Sequence, residues 1–198
     1  MDTLLSVGIG IGLSAACGFR IFVPPLVMSI AAISGYLPLA PNFEWIGTYP
    51  ALIAFAVATC IEIAAYYIPW IDNLLDTVST PTAIAVGTSI TAALLPHSDP
   101  LVQWTLAAIA GGGSAGIIQT FTSMTRISST ALTGGIGNGI VSTIESLSSI
   151  TLSVMAILVP FLAVALVYAL LIFVLRKGLQ ILAIKRQPQS KTLDASSR

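Results

Sequence analysis

Charge is scarce in this sequence, and its scarcity excludes several classes of protein. The 198 residues include only 8 acidic and 8 basic side chains, which cancel to no net charge. Because no basic tract is present to follow a phosphate backbone, nucleic acid is excluded as a partner. Hydrophobic residues make up 56% of the chain and the mean hydropathy is +0.95, outside the range of soluble domains. The composition therefore predicts an integral membrane protein whose main partner is the lipid bilayer.

Histidine and cysteine are also rare, which argues against metal sites and most catalytic sites. The single histidine, His97, lies in a short turn beside Asp99, and Cys17 and Cys60 lie in apolar segments without ligand spacing. The sequence contains no HExxH motif, no GxSxG motif and no serine–histidine pair. We expect no metal, no cofactor and no enzymatic activity.

Long apolar runs, in contrast, are abundant, and they predict an all-α membrane protein with about six transmembrane helices. The predicted crossings cover residues 3–33, 50–68, 81–95, 101–118, 140–159 and 161–175. As one helix the first run would be about 46 Å long, well beyond a hydrocarbon core of about 30 Å. Gly18 and Pro24–Pro25 are candidate breaks within it. We expect the first element to be broken or re-entrant, with one strongly tilted helix as the alternative.

Two segments between the crossings have a different character. Residues 69–76 are apolar on one side and acidic on the other, which predicts an interfacial segment separate from the crossing that Pro81 begins. Residues 133–139 are rich in glycine, which weakens helices and exposes backbone. We therefore expect irregular backbone there, placed against protein or water.

Two glutamates lie at membrane depth in similar surroundings. Glu62 lies within the second predicted crossing and Glu145 within the fifth. Each follows a stretch of small residues and a single arginine, Arg20 in the first half and Arg126 in the second. A carboxylate at membrane depth is costly and commonly marks a route for ions or protons.

This recurrence predicts an internal repeat within one membrane domain, residues 1–176. Residues 1–100 and 101–176 would form a 3+3 inverted repeat with broken or re-entrant first and fourth elements. A chance likeness between glycine- and alanine-rich segments is the alternative.

Most of the basic residues follow the last apolar run. They are Arg176, Lys177, Lys185, Arg186, Lys191 and Arg198. The positive-inside rule then predicts that residues 177–198 form a cytoplasmic tail, which we expect to be disordered at its end. An even number of crossings places the N-terminus in the cytoplasm too.

Two segments resemble a known family. The segment Gly12–Pro24, and Glu62 together with Ile68–Asp76, are similar to signature stretches of the bacterial and cyanobacterial membrane family DUF4126. The resemblance extends over most of residues 11–174. It implies a small polytopic protein of the bacterial inner membrane, and it implies no particular activity.

The candidate ion- or substrate-binding residues are the polar and charged side chains of these segments. They are Glu62, Glu145, Arg20, Arg126, Ser14, Ser114, Asn138, Asp72 and Asp76. We expect the two glutamates to converge on one water-filled pocket and to change protonation in a transporter or channel for a small ion or solute. Arg20 would pair with them or bind an anion.

Each candidate also has a purely structural interpretation. Glu62 could be a core carboxylate, Arg20 a partner in a buried salt bridge, and Arg126 a side chain that extends to the cytoplasmic boundary. Asp72 and Asp76, four residues apart, are typical of a solvated helix face.

The alternative function is a membrane assembly or scaffold protein. Small residues recur every four positions in the segments Gly8–Ala16, Gly112–Gly116 and Gly135–Gly139. Such ladders let helices approach closely, so they could dock partner subunits. A homo-oligomer is compatible with either function.

Overall fold

The computed structural model describes the backbone of residues 3–95 and 99–195, and the side chains in these stretches except those of residues 3, 69, 70, 72, 73, 178, 179 and 181–195. All regular structure in this part of the chain is helical, as predicted, and no strand occurs in it. The α-helices are α1 Thr3–Cys17, α2 Val23–Ile33, α3 Tyr49–Ala65, α4 Pro69–Ala93, α5 Pro100–Leu106, α6 Gly113–Thr133, α7 Asn138–Leu158 and α8 Pro160–Ala195. A 3₁₀ helix, Pro41–Gly47, precedes α3, and a π-helix, Ala107–Gly112, joins α5 to α6.

The first apolar run is broken where the sequence predicts. Helix α1 ends at Cys17, and α2 begins at Val23 with prolines in its first turn, where their missing N–H groups cost little. Gly18 opens this break because α6 approaches it closely: a Cβ on Gly18 would lie 2.6 Å from Cβ of Ile118. We call residues 18–22 the break.

Helix α4 corrects the prediction of an interfacial segment followed by a short crossing. Residues 69–93 form one helix with Pro81 inside it. Proline removes a backbone hydrogen bond from a helix interior, which is why the sequence predicts a boundary there. However, Ser79, Ala83 and Ile90 are buried on one face on both sides of the proline. Packing of this face against α1 and the π-helix therefore keeps the helix continuous.

The fourth element is also different from the prediction, because it is continuous rather than broken. Residues 100–133 are helical throughout, with the π-helix as an irregularity inside them. The irregularity lies where two backbones meet: a Cβ on Gly111 would lie 2.5 Å from the carbonyl oxygen of Gly87. The irregular backbone predicted within residues 133–139 does occur. Gly134 and Gly135 have φ angles of 64° and 93°, and they end α6 and form the turn to α7.

Helix α1 is the centre of the molecule and packs against α4, α6, α7 and α8. Glycines make this packing close, since a Cβ on Gly12 would lie 2.7 Å from Cβ of Ala156 on α7. Similarly, a Cβ on Gly112 would lie 2.5 Å from Oγ1 of Thr88 on α4. These small residues of the predicted ladders therefore make their contacts within the chain.

Several helices are long and apolar enough to span a membrane, as expected of a membrane protein. Three qualify individually in the described residues, and they are Pro100–Thr133, Asn138–Leu158 and Pro160–Lys177. The 3₁₀ helix and α3, bent by 66°, would supply a fourth if they act as one span. Leu4–Cys17 and Val23–Ile33 are apolar but shorter.

Candidate functional site

The break between α1 and α2 is the centre of a buried cluster of charged side chains. Its first member is Glu62, which projects from α3 toward the break. One carboxylate oxygen accepts a hydrogen bond from the backbone N–H of Ile21 at 2.7 Å, and the other accepts one from Phe22 at 3.0 Å. The carboxylate therefore binds the two free amides that directly precede α2.

Arg20 lies in the same break, is completely buried, and faces α7. Its Nε donates to Oγ of Ser146 at 3.0 Å, and its Nη2 donates to the carbonyl and the hydroxyl of Ser142. Nη2 is also 3.6 Å from a carboxylate oxygen of Glu145. The remaining amino group, Nη1, is buried and has no hydrogen-bond acceptor among the described residues.

Arg126 and Glu145 form the third part of the cluster. Nε and Nη2 of Arg126 donate to the two carboxylate oxygens of Glu145, a bidentate arrangement of the strong, charge-assisted type. Both side chains are buried. The interpretation of Arg126 as a residue extending to the cytoplasmic boundary is therefore wrong: the side chain points from α6 to the neighbouring α7, where its counter-ion lies.

An aromatic ring joins the two arginines. The Cζ atoms of Arg20 and Arg126 lie 4.2 Å and 3.9 Å from the centroid of the Tyr66 ring. Tyr66 is buried and follows Glu62 by four residues, one helical turn. A ring at this distance from a guanidinium attracts it through its quadrupole. Tyr66 therefore helps to hold both cations inside the protein.

Both glutamates thus lie around the break: Glu62 accepts from its amides, and Glu145 is 3.6 Å from Arg20. The cluster contains two arginines, Arg20 and Arg126, and two glutamates, Glu62 and Glu145, so its formal charge is zero when all four are ionised. Charge balance is what permits four ionisable groups to be buried together, since an uncompensated buried charge is strongly destabilising.

Two cavities lie between the helices, and neither is the water-filled pocket that the sequence analysis expects around the glutamates. The larger, about 820 Å³, is an open apolar groove between α4, α6 and α8, and the smaller, about 250 Å³, lies between α1, α6 and α8. Neither is lined by a member of the charged cluster.

Four further candidate residues lie elsewhere or at the margin of the cluster. Ser14 joins α1 to α4 through hydrogen bonds to the Gly87 carbonyl (2.6 Å) and to Thr91 (2.9 Å). Ser114, in the first turn of α6, donates to the Gly111 carbonyl of the preceding π-helix at 2.9 Å.

Asn138 and Asp76 are each linked to an element of the cluster. Asn138 begins α7 and donates to Thr130 of α6 at 2.9 Å, which fixes the helix that carries Glu145. Asp76 is partly buried on α4 and interacts electrostatically with Tyr66. The Asp72 side chain lies outside the described residues. No group of three potential metal ligands occurs in the described part of the chain.

Sequence reasoning missed Tyr66, Ser142 and Ser146, which hold the arginines. A signal for Ser142 was present: Ser142, Glu145 and Ser149 are spaced three and four residues apart, so they share one face of α7, and all three are buried. Tyr66 has the same relation to Glu62 on α3. Polar residues that share a helical face with an intramembrane carboxylate are therefore the ones to examine.

Comparison with known proteins bears directly on this cluster. The family model described as "Domain of unknown function (DUF4126)" matches residues 7–178. The chain belongs to this family. The matched region of the DUF4126 chain includes the whole charged cluster, from Arg20 to Glu145, so the resemblance expected from the sequence is confirmed. No curated protein and no solved structure matches the chain.

Proposed function

We propose that this DUF4126 protein is a small, proton-coupled membrane transporter for an ion, without enzymatic activity. The observation that supports it best is the burial of two arginines and two glutamates around a helix break. Charges at membrane depth are retained mainly where they serve a pathway for ions or protons. Helix breaks serve the same role in transporters, because they present free backbone groups to an ion.

The proposal includes an inverted repeat of three crossings per half. In each half, the glutamate of a later helix binds the arginine segment of an earlier one: Glu62 binds the amides that follow Arg20, and Glu145 binds Arg126. The 3.6 Å contact between Arg20 and Glu145 would then join the halves. The crossings would be α1–α2, α3 and α4 in the first half, and α5–α6, α7 and α8 in the second.

This topology gives an orientation in the bacterial inner membrane. With an even number of crossings, both termini lie on one side. The six basic residues from Arg176 onward favour the cytoplasm for that side.

Glu62 is the member of the cluster best placed to exchange a proton. Protonation of Glu145 would deprive both Arg20 and Arg126 of the carboxylate they contact directly. Protonation of Glu62 weakens two hydrogen bonds from backbone amides and a longer-range attraction to the arginines, but it breaks no direct ion pair. A conformation that opens the break to water would therefore exchange a proton at Glu62 while the Arg126–Glu145 pair stays intact.

The scaffold alternative has less support. Gly12 and Gly112, the small residues that would dock a partner, are occupied by contacts with α7 and α4 of the same chain. The proposal requires only the bilayer and a small ion as partners.

Proton flux in liposomes tests the proposal. Purified protein is reconstituted with a pH-sensitive dye inside, and an ion gradient is applied across the membrane. We expect proton movement that Glu62→Gln abolishes. Glu44→Gln is the matched control, because Glu44 is an exposed carboxylate in the 3₁₀ helix, and it should leave the flux unchanged. Wild-type protein that moves no protons under any ion gradient would refute the function.

A further inference from the structure

We propose that the ion carried with the proton is a small monovalent anion, bound beside the break by Nη1 of Arg20 and by the amides of Ile21 and Phe22 once the Glu62 carboxylate leaves them. This inference rests on the proposed function and specifies its substrate class.

The place in question is already a binding site for an anionic group. Two oxygens of one carboxylate take the two amides at 2.7 Å and 3.0 Å. These amides directly precede α2, a helix of 11 residues, and its N-terminus adds positive potential. In the present conformation Glu62 is a tethered occupant of that site.

Arg20 supplies an independent indication of a ligand. Its Nε and Nη2 both face α7, so by the planar geometry of the guanidinium Nη1 points away from α7. This fully buried amino group has no acceptor among the described residues, although a buried unsatisfied donor is costly. An anion beside the break would provide the missing acceptor.

Charge balance selects both the sign and the valence of the ion. With all four groups ionised the cluster sums to zero, and a proton on Glu62 leaves it at +1. A monovalent anion restores zero, whereas a cation would raise the charge and a divalent anion would reverse it. Because uncompensated buried charge is strongly disfavoured, anion and proton should enter together, one for one.

Thr59 provides a place for the displaced carboxyl group. Its Oγ1 is buried and has no hydrogen-bond partner among the described residues. Thr59 lies three residues before Glu62 on the same face of α3, within reach of that side chain. The displaced carboxyl group can share a hydrogen bond with this hydroxyl, which both donates and accepts. Protonation weakens the two amide hydrogen bonds that hold Glu62 in the break, and this weakening couples the displacement to protonation.

The charged and titratable groups around this exchange come from several elements. Cys17 of α1, Arg20 of the break, Arg126 of α6 and Tyr66 at the end of α3 interact electrostatically with Glu62. Asp76 of α4 interacts with Tyr66, and Glu145 of α7 binds the two arginines. The two arginines are the cations in this set, and both interact electrostatically with Glu62. They remain to hold an anion after Glu62 is neutralised.

The experiment uses the full chain in liposomes with an internal pH dye and a chloride electrode outside. Inward gradients of chloride, nitrate and bromide are compared with sulfate, and with sodium and potassium gradients at constant anion. We expect proton uptake driven by at least one of the monovalent anions, one proton per anion. Because the pair is neutral, a potential imposed with valinomycin should not change the uptake.

The Glu62→Gln variant should uncouple the anion flux from the proton flux. Glutamine leaves the amides and Arg20 available but carries no exchangeable charge, so the anion flux should persist while proton uptake is lost. This retained flux also shows that the variant is folded. Arg20→Gln should abolish both fluxes, and Glu44→Gln should change neither.

The outcomes distinguish this inference from the proposed function. Proton uptake that follows the sodium or potassium gradient and ignores the monovalent anions would overturn the anion while leaving a proton-coupled transporter. Uptake driven equally by sulfate would overturn the one-for-one charge balance. Absence of proton flux under every gradient would remove both proposals.

Discussion

Replacement of Glu145 by glutamine should be the most destabilising single change in the charged cluster. Its carboxylate directly contacts the guanidinium groups of Arg126 and Arg20, the second at 3.6 Å, and all three side chains are buried. Glutamine keeps the size but removes the charge, so both cations lose their direct counter-ion. Breaking a buried ion pair by removing one partner costs about 3–5 kcal/mol. Glu62→Gln should cost less, about 1–3 kcal/mol, because it weakens two amide hydrogen bonds.

Denaturant unfolding in a mild detergent, followed by circular dichroism, measures the difference. Arg126→Gln and the double variant complete a cycle, in which the double variant should be less destabilised than the sum of the single ones. Glu44→Gln is again the control with an exposed carboxylate. A Glu145→Gln variant as stable as the Glu44→Gln variant, or strictly additive effects in the cycle, would show that the cluster does not rely on its ion pair.

Two further changes test the packing between helices and the packing of the cluster. Gly111→Ala should destabilise the protein by about 1–3 kcal/mol, because the new Cβ would lie 2.5 Å from the Gly87 carbonyl oxygen. Gly113→Ala is the matched control, since nothing lies within 4 Å of its Cβ, and it should be neutral or slightly stabilising. Thermal unfolding measures both. Equal melting temperatures for the two would contradict the close approach of the backbones. Tyr66→Phe should keep most of the stability because it keeps the ring. Tyr66→Leu loses two cation–π contacts and should cost about 1–3 kcal/mol in the same denaturant assay. If both variants lose the same stability, the effect belongs to the hydroxyl group and not to the ring.

The sequence predicts the ends of helices better than any other part of the fold, because a helix end depends on local chemistry. Pro160 begins α8, Pro69 begins α4, and Gly134 ends α6 in a left-handed conformation that glycine adopts without strain. The break at Gly18 belongs to the same class. Each of these positions is set by the residue itself and its immediate neighbours.

The errors concern contacts between distant segments. Pro81 by itself favours a helix end. Packing of the buried face of α4 against α1 and the π-helix overrides this preference, and that packing depends on contacts between segments far apart in the sequence. The interpretation of Arg126 failed for the same reason, since its counter-ion lies 19 residues away on another helix. That Glu62 and Glu145 each have a buried partner was predictable, because the cost of burying a carboxylate requires one.

The contact of α1, α4 and the π-helix also has a mechanical meaning. Ser14, Gly87 and Gly111 meet there with almost no side-chain volume between them, since a Cβ on Gly87 would lie 3.3 Å from Cβ of Ser14 and 3.2 Å from the Gly111 oxygen. Rotation of any one of these helices about its axis would drive a larger side chain into its neighbour's main chain. These close contacts oppose rotation, so the three segments should move together as one rigid body.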